Sequence, residues 1–207
     1  MISKQIIGIV DYKAGNLKSI FRTLNYIGVN YKMISHYKDF KDCDKLILPG
    51  VGNFDYCMKY LKKNKLDIEL KQAANQNKII YGICMGMQIM FQTSEESKTS
   101  KGLNLINGKV KNIKSYFQNK VRTPHIGWNK IICEKNDEQK DILNNKYFYF
   151  ANSYVCETND KCKKSFFKYQ NKKFISFINK ENIFGTQFHP EISGRNGPKV
   201  YERFLKL

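Results

Sequence analysis

What the chain has little of narrows its role before any motif is read. It carries only three histidines, and its six cysteines (Cys43, Cys57, Cys84, Cys133, Cys156 and Cys162) form no Cys-x-x-Cys pair. That supply leaves no metal site to expect, and the spacing is not that of a secreted disulfide scaffold, so reduced thiols are the simpler reading. No apolar run approaches the roughly eighteen residues that a membrane span needs. The opening MISKQIIGIVD is broken by Asp11 before it reaches the length of a signal-peptide core, so a soluble, cytoplasmic protein is expected. Acidic residues are also scarce, with 18 Asp and Glu against 36 Lys and Arg, a formal charge of +18. Such an excess suits a nucleic-acid partner when it is gathered on one face. Here the lysines are scattered over nearly every segment, which points to a solvated surface, and secondarily to an acidic partner or substrate. Repeats, low-complexity linkers and composition breaks are missing too, so residues 1–207 are expected to form one domain, and an apolar content of 42% can fill its core.

Against that background one stretch stands out, Ile79 to Phe91, IIYGICMGMQIMF. Ile79–Ile83 has the length and flavour of a buried strand, and a helix-compatible run follows from Met85. Cys84 sits at the junction, with Gly82 and Gly86 at minus two and plus two. This is the spacing of a nucleophile elbow, a strand-to-helix turn so sharp that side chains at the flanking positions would clash. The turn would set the Cys84 sulfur at a helix N-terminus, where unpaired N–H groups favour a thiolate. A buried structural cysteine in a small-residue turn fits the same residues. The elbow reading gains only if a base and an oxyanion pocket lie elsewhere in the chain.

The remaining pattern supplies both. Gln5–Val10, Asn30–Ser35 and Lys45–Leu48 read as strands, with an amphipathic helix between the first two carrying Leu17, Ile20, Phe21, Leu24 and Ile27 on one stripe over Lys13–Ile27. The third strand runs into Pro49-Gly50-Val51-Gly52-Asn53, a Gly-rich turn whose N–H groups can face a ligand, and helices are predicted over Phe54–Lys63 and Leu66–Gln76. Alternating strands and helices call for an α/β fold with a central, mostly parallel sheet flanked by helices. After Thr93 the texture changes to short strands at Lys109–Ile113, Asn129–Cys133, Tyr147–Ala151, Ser165–Tyr169, Phe174–Ile178 and Ile183–Phe188, read as mostly antiparallel additions, and a final helix spans Gly197–Leu207. Near the end, Gly185-Thr186-Gln187-Phe188-His189-Pro190-Glu191 presents a histidine and a carboxylate two residues apart, on the same side of a strand. The carboxylate could fix the tautomer whose other nitrogen faces a nucleophile, as in any nucleophile, base and acid triad. Three parts needed for acyl transfer thus fall on three strand ends.

The combination GICMGMQ with HPE resembles the class I, or triad-type, glutamine amidotransferases, with a mixed α/β, flavodoxin-like fold. Within that class DYKAGN (Asp11–Asn16), PGVGNF (Pro49–Phe54), PHIGW (Pro124–Trp128) and QFHPE (Gln187–Glu191) resemble the glutaminase subunit of imidazole glycerol phosphate synthase, and the likeness extends from about residue 6 to about residue 204. The resemblance implies that Cys84 attacks the side-chain amide of L-glutamine, His189 shuttles the proton and Glu191 orients His189. It implies no cofactor. An oxyanion hole would draw on the N–H of Met85 and one from Val51 or Gly52. Gly50, Gln88, Glu96 and the Asn152-Ser153-Tyr154 backbone would bind the substrate. The ammonia would pass to a (β/α)8-barrel synthase (cyclase) subunit, held as a heterodimer, for histidine biosynthesis.

Two positions depart from the family's pattern: Lys13 stands where glycine is usual in DYxxGN, and Asn152 where histidine is usual before Ser-Tyr. Both resemble surface that faces the synthase, which keeps open a paralogous glutaminase feeding another synthase, such as one amidating surface-polysaccharide sugars. Two further classes compete. A cysteine peptidase or stress-type protein sharing the elbow lacks a Gln four residues past the Cys and a separate HPE strand. A nucleic-acid-binding module would rest on charge alone and would be indifferent to Cys84→Ala.

Overall fold

The computed structural model describes residues 5–13, 16–134 and 138–207. Its elements in chain order are β1 (Ile6–Val10), α1 (Leu17–Tyr26), β2 (Asn30–Ile34), β3 (Lys45–Leu48), α2 (Phe54–Lys63), α3 (Leu66–Asn75), β4 (Ile79–Ile83), α4 (Met85–Gln88), β5 (Phe91–Ser94), β6 (Ile106–Asn112), β7 (His125–Cys133), α5 (Lys140–Leu143), β8 (Tyr147–Asn152), β9 (Tyr154–Thr158), β10 (Lys163–Tyr169), β11 (Lys172–Lys180), β12 (Ile183–Thr186) and α6 (Gly197–Leu205). Among the described residues the strands form a nine-stranded sheet, ordered β2-β1-β3-β4-β12-β11-β10-β7-β8, and a three-stranded sheet, β5-β6-β9. The first five strands of the large sheet are mutually parallel, and the other four are added antiparallel.

The inner parallel strands β1, β3, β4 and β12 are mostly apolar because both of their faces are covered, whereas the edge strand β2 is only partly buried. On one face Phe54, Met58, Leu61, Leu66 and Leu70 of α2 and α3 join Leu46 and Leu48. On the other, Ile20 and Leu24 of α1 and Val200, Tyr201 and Phe204 of α6 join Ile7, Ile9 and Ile47. Even Lys45, within β3, is buried. Its ammonium donates to the carbonyls of Phe204 (3.1 Å) and Leu205 (2.6 Å), satisfying orphan acceptors in the last turn of α6 and tying that helix to the sheet.

The doubly covered parallel sheet decides where chemistry can sit. The C-terminal ends of β1, β3, β4 and β12 lie side by side on one edge, so Asp11–Lys13, Pro49–Asn53, Cys84 and Gln187–Glu191 emerge together. That edge is where open α/β sheets take their ligands.

Several local expectations are corrected. The helix expected after Met85 is a single turn, because Gly102, Leu103 and Leu105 bond to the backbone of residues 89–92 and draw the chain into β5. β7 begins at His125 rather than Asn129, so most of PHIGW is strand, and β9 had no counterpart in the sequence reading. The helix predicted from Lys13 begins at Leu17, and Ala14 and Gly15 of the DYKAGN run lie outside the described residues.

Candidate active site

Cys84 occupies φ 46° and ψ −102°, a backbone region that L-residues adopt only when their surroundings force it. The force is visible on both sides. The Cys84 N–H donates to the Thr186 carbonyl at 2.6 Å, and the Gln88 N–H donates back to the Cys84 carbonyl at 3.0 Å. Glycine is required on both flanks: a Cβ at Gly82 would stand 2.6 Å from the Gly86 carbonyl, and one at Gly86 would stand 2.0 Å from the Leu48 oxygen. The elbow is therefore a physical feature of the fold. With α4 only four residues long, however, little helix dipole is available to the sulfur.

The neighbour facing that sulfur is His189, whose ring interacts with Cys84 and whose Nδ1 pairs with the Glu191 Oε1 at 2.8 Å. The His-x-Glu pair is not made by strand alternation as expected. β12 ends at Thr186, and Pro190–Ile192 forms a 3₁₀ turn that folds the carboxylate back onto the imidazole. The backbone of His189 is held from both sides, its N–H by the Tyr149 carbonyl (2.9 Å) and its C=O by the Ser193 hydroxyl (2.6 Å).

Burial works against a charged His189, but the neighbouring Cys84 and Glu191 together outweigh it, holding the imidazole pKa well above its ordinary value. The sign follows: because the folded-state pKa is raised, this pairing contributes its full stability below about pH 6.5 and loses it as pH climbs through the folded value. An NMR titration should therefore find the His189 imidazolium persisting above pH 6.5. In Cys84→Ala the midpoint should fall, and an unmoved midpoint would show that the sulfur does not set it.

These groups open onto a cavity of about 220 Å³ lined by Gly50, Val51, Gly52, Cys84, Met85, Gln88, Glu96, Asn152, Ser153, Tyr154 and His189, with Pro124 and Ala151. All the substrate and oxyanion positions named from the sequence are brought to one place, and Glu191 lies behind His189. Their engagements differ from expectation. The Met85 N–H is not free but donates to the Gly50 carbonyl at 3.3 Å. The N–H groups of Val51 and Gly52 meet no protein acceptor among the described residues. Gln88 Nε2 donates to the Tyr154 carbonyl and to Gln187 Oε1, both at 3.2 Å, and its Oε1 is buried without a partner. Both Glu96 oxygens are occupied at the start of α2, accepting from Asn53 Nδ2 and the Phe54 N–H at 3.0 Å each.

Asn152 is 4% exposed, so it is not part of a partner-facing surface. Lys13 is at the surface, with 55% of its side chain exposed and its ammonium 2.7 Å from Asp11.

Gln187 is the site residue that the sequence reading passed over. It is wholly buried, and its Nε2 reaches the Cys84 sulfur at 3.5 Å while its Oε1 takes the Gln88 amide. Its place two residues before His189, on the same strand end, was the available signal. Among the described residues no cluster of three or more His, Cys, Asp or Glu could hold a metal ion.

A nucleophile, a buried base with its orienting carboxylate, and backbone donors within one small cavity can perform acyl transfer. The comparisons agree with that chemistry. The sequence profile described as glutamine amidotransferase class-I matches residues 8–207. The imidazole glycerol phosphate synthase subunit HisH of Methanocaldococcus jannaschii is 41% identical over 203 residues, 98% of this chain and 100% of that protein. The subunit of the same name from Bacillus subtilis is 33% identical over 204 residues, 98% and 96% of the two chains. In fold, a solved glutamine amidotransferase superposes with a TM-score of 0.77 at 14% identity over 97% of each chain. A PurLQS structure from Thermotoga maritima gives 0.73 at 23% identity over 98% of each.

Proposed function

The chain belongs to the class I glutamine amidotransferase family, and on that footing we propose that it is the glutaminase subunit of an imidazole glycerol phosphate synthase, acting in the cytoplasm. In this reading Cys84 attacks the side-chain carbonyl of L-glutamine, and His189, oriented by Glu191, delivers a proton to the departing ammonia. His189 then activates the water that hydrolyses the γ-glutamyl thioester to glutamate. The observation that carries it is the meeting of Cys84 and His189 in one cavity of about 220 Å³ at the sheet edge, with Glu191 behind His189.

The same geometry supports a partnered enzyme. A peptide group is planar and trans, so its carbonyl and N–H point in opposite directions. With the Gly50 carbonyl turned onto Met85, the Val51 N–H of the same plane points away from the site. One rotation of that plane would free the Met85 N–H and swing the Val51 N–H inward, assembling both halves of an oxyanion hole in a single motion. Gly50 must be glycine for this, since a Cβ there would stand 2.8 Å from the Ile83 oxygen and 3.1 Å from His189 Cε1.

A docking surface adjoins the cavity. Ile126 and Trp128 of β7 are 62% and 54% exposed, and Ile192 and Val51 are exposed beside the site. The Trp128 ring lies over Gly194, just past the His-Pro-Glu turn. An exposed apolar patch of this kind suits a protein partner, here the (β/α)8-barrel cyclase that consumes the ammonia. A different acceptor, such as a surface-sugar synthase, now rests on Lys13 alone, because Asn152 is interior.

The test is to purify the chain with each candidate synthase of its source, and to measure glutamate and aminated product formed from glutamine. The isolated chain should be slower than the complex by on the order of a hundredfold or more, the usual effect of a missing oxyanion donor. Full activity without a partner would refute the switch. No glutamate under any pairing would refute the glutaminase itself.

A further inference from the structure

We propose that Tyr12 is a positioning residue for the oxyanion turn, its hydroxyl fixing the Pro49 carbonyl so that contact at the exposed Lys13 is transmitted to the peptide that opens the hole. The proposal rests on the glutaminase reading above. Tyr12 follows the C-terminal end of β1 and is wholly buried, and its hydroxyl donates to the Pro49 oxygen at the end of the neighbouring β3. Pro49 is itself buried, and its oxygen lies 2.8 Å from where a Cβ on Gly86 would be, so this carbonyl has no route to solvent should the phenol leave. Burial, with smaller contributions from the nearby Cys57 and Cys84, pushes the phenol's pKa up, which keeps it a neutral donor throughout the working range.

The geometry makes Tyr12 one of two fixed posts. The far end of the turn is held by Glu96, which takes the Asn53 side chain and the Phe54 N–H. Between the posts lie only Gly50, Val51 and Gly52, and Gly52 at φ 137° supplies a backbone conformation that glycine alone adopts readily. Rotation is thereby confined to the short turn between the posts, which contains the Gly50–Val51 plane.

The near post also reaches the surface. The Asp11 N–H is tied to the Ile34 carbonyl at 2.8 Å, and the Asp11 carboxylate holds both the backbone N–H (2.9 Å) and the ammonium (2.7 Å) of Lys13. Lys13 is exposed, one residue from a rigid ring whose far end grips the turn. A synthase surface resting on Lys13 therefore acts on Pro49 through the adjoining Tyr12 side chain.

Tyr12→Phe removes the hydroxyl and keeps the ring. Glutaminase kinetics of the isolated chain and of its complex with the synthase should show the ratio of partnered to isolated kcat falling about tenfold, within the usual range of coupling between sites. KM for glutamine should stay unchanged, since Tyr12 is not among the residues lining the cavity. Independently of any partner, hydrogen exchange at the Met85 amide should quicken in the variant, because the Gly50 carbonyl that protects it loses its anchored neighbour. A wild-type ratio together with wild-type exchange at Met85 overturns the proposal while leaving the glutaminase reading intact. If the wild-type complex itself releases no glutamate, that reading fails instead, and Met85 exchange still decides the role of Tyr12. A thermal melt that matches wild type excludes simple unfolding as the cause.

Discussion

Cys84→Ala should lower glutamine-dependent turnover on the order of ten-thousandfold or more, the scale seen when a covalent nucleophile is deleted. The synthase in the same complex should continue to work from added ammonium salt. The two halves of this outcome answer different questions. Loss of glutamine use places the sulfur in the reaction, and survival of the ammonia-dependent reaction shows that the partner is folded and bound. Deleting the sulfur leaves the cavity walls intact, because the elbow is held by backbone bonds from Cys84 to Thr186 and from Gln88 to Cys84, which alanine can make. Glutamine should therefore still bind. If Cys84→Ala retained a substantial fraction of glutamine-dependent activity, covalent catalysis at this residue would have to be given up.

Gly86→Ala should do more harm to the fold than any surface substitution. The added carbon would meet the Leu48 oxygen at 2.0 Å, the Leu48 carbonyl carbon at 2.7 Å and the Pro49 oxygen at 2.8 Å, all of them backbone atoms of β3 and the turn after it. No rotamer change relieves such a clash, so β3 must separate from the elbow. Overpacking typically costs about 1–3 kcal/mol and occasionally more, and the upper end, about 3 kcal/mol, is expected here. Urea unfolding with the slope held fixed would measure it. Whatever protein remains folded should lack glutaminase activity, because the displaced segment is the one that carries Gly50. Wild-type stability would mean that the elbow is looser than its distances imply.

The sequence showed these glycines because their requirement is local: two short-range clashes around one cysteine leave a readable spacing. His189 and Glu191 were legible for the same reason, although the device joining them is a 3₁₀ turn and not a pleat. The extent of α4 was not legible. Met85 to Phe91 is buried on every side, so its apolar run carries no period to distinguish a turn of helix from the approach to a strand. Nor could the pattern show that Glu96 closes off the start of α2, that Gln187 touches the sulfur, or that Tyr12 reaches Pro49. Each of these contacts joins residues 37 or more apart in the chain. Asn152 misled in the opposite direction, because a departure from a family pattern says nothing about depth, and the residue proved interior.

The Gly50–Val51 plane has one more implication. On the proposed switch, a single rigid unit obstructs one donor and averts the other, so a molecule would have both donors or neither. Intermediate rates in a titration with synthase would then report the proportion of molecules in each of two states, and not a uniform population working at partial speed. Graded stimulation in bulk would be the average of an all-or-none event in each subunit.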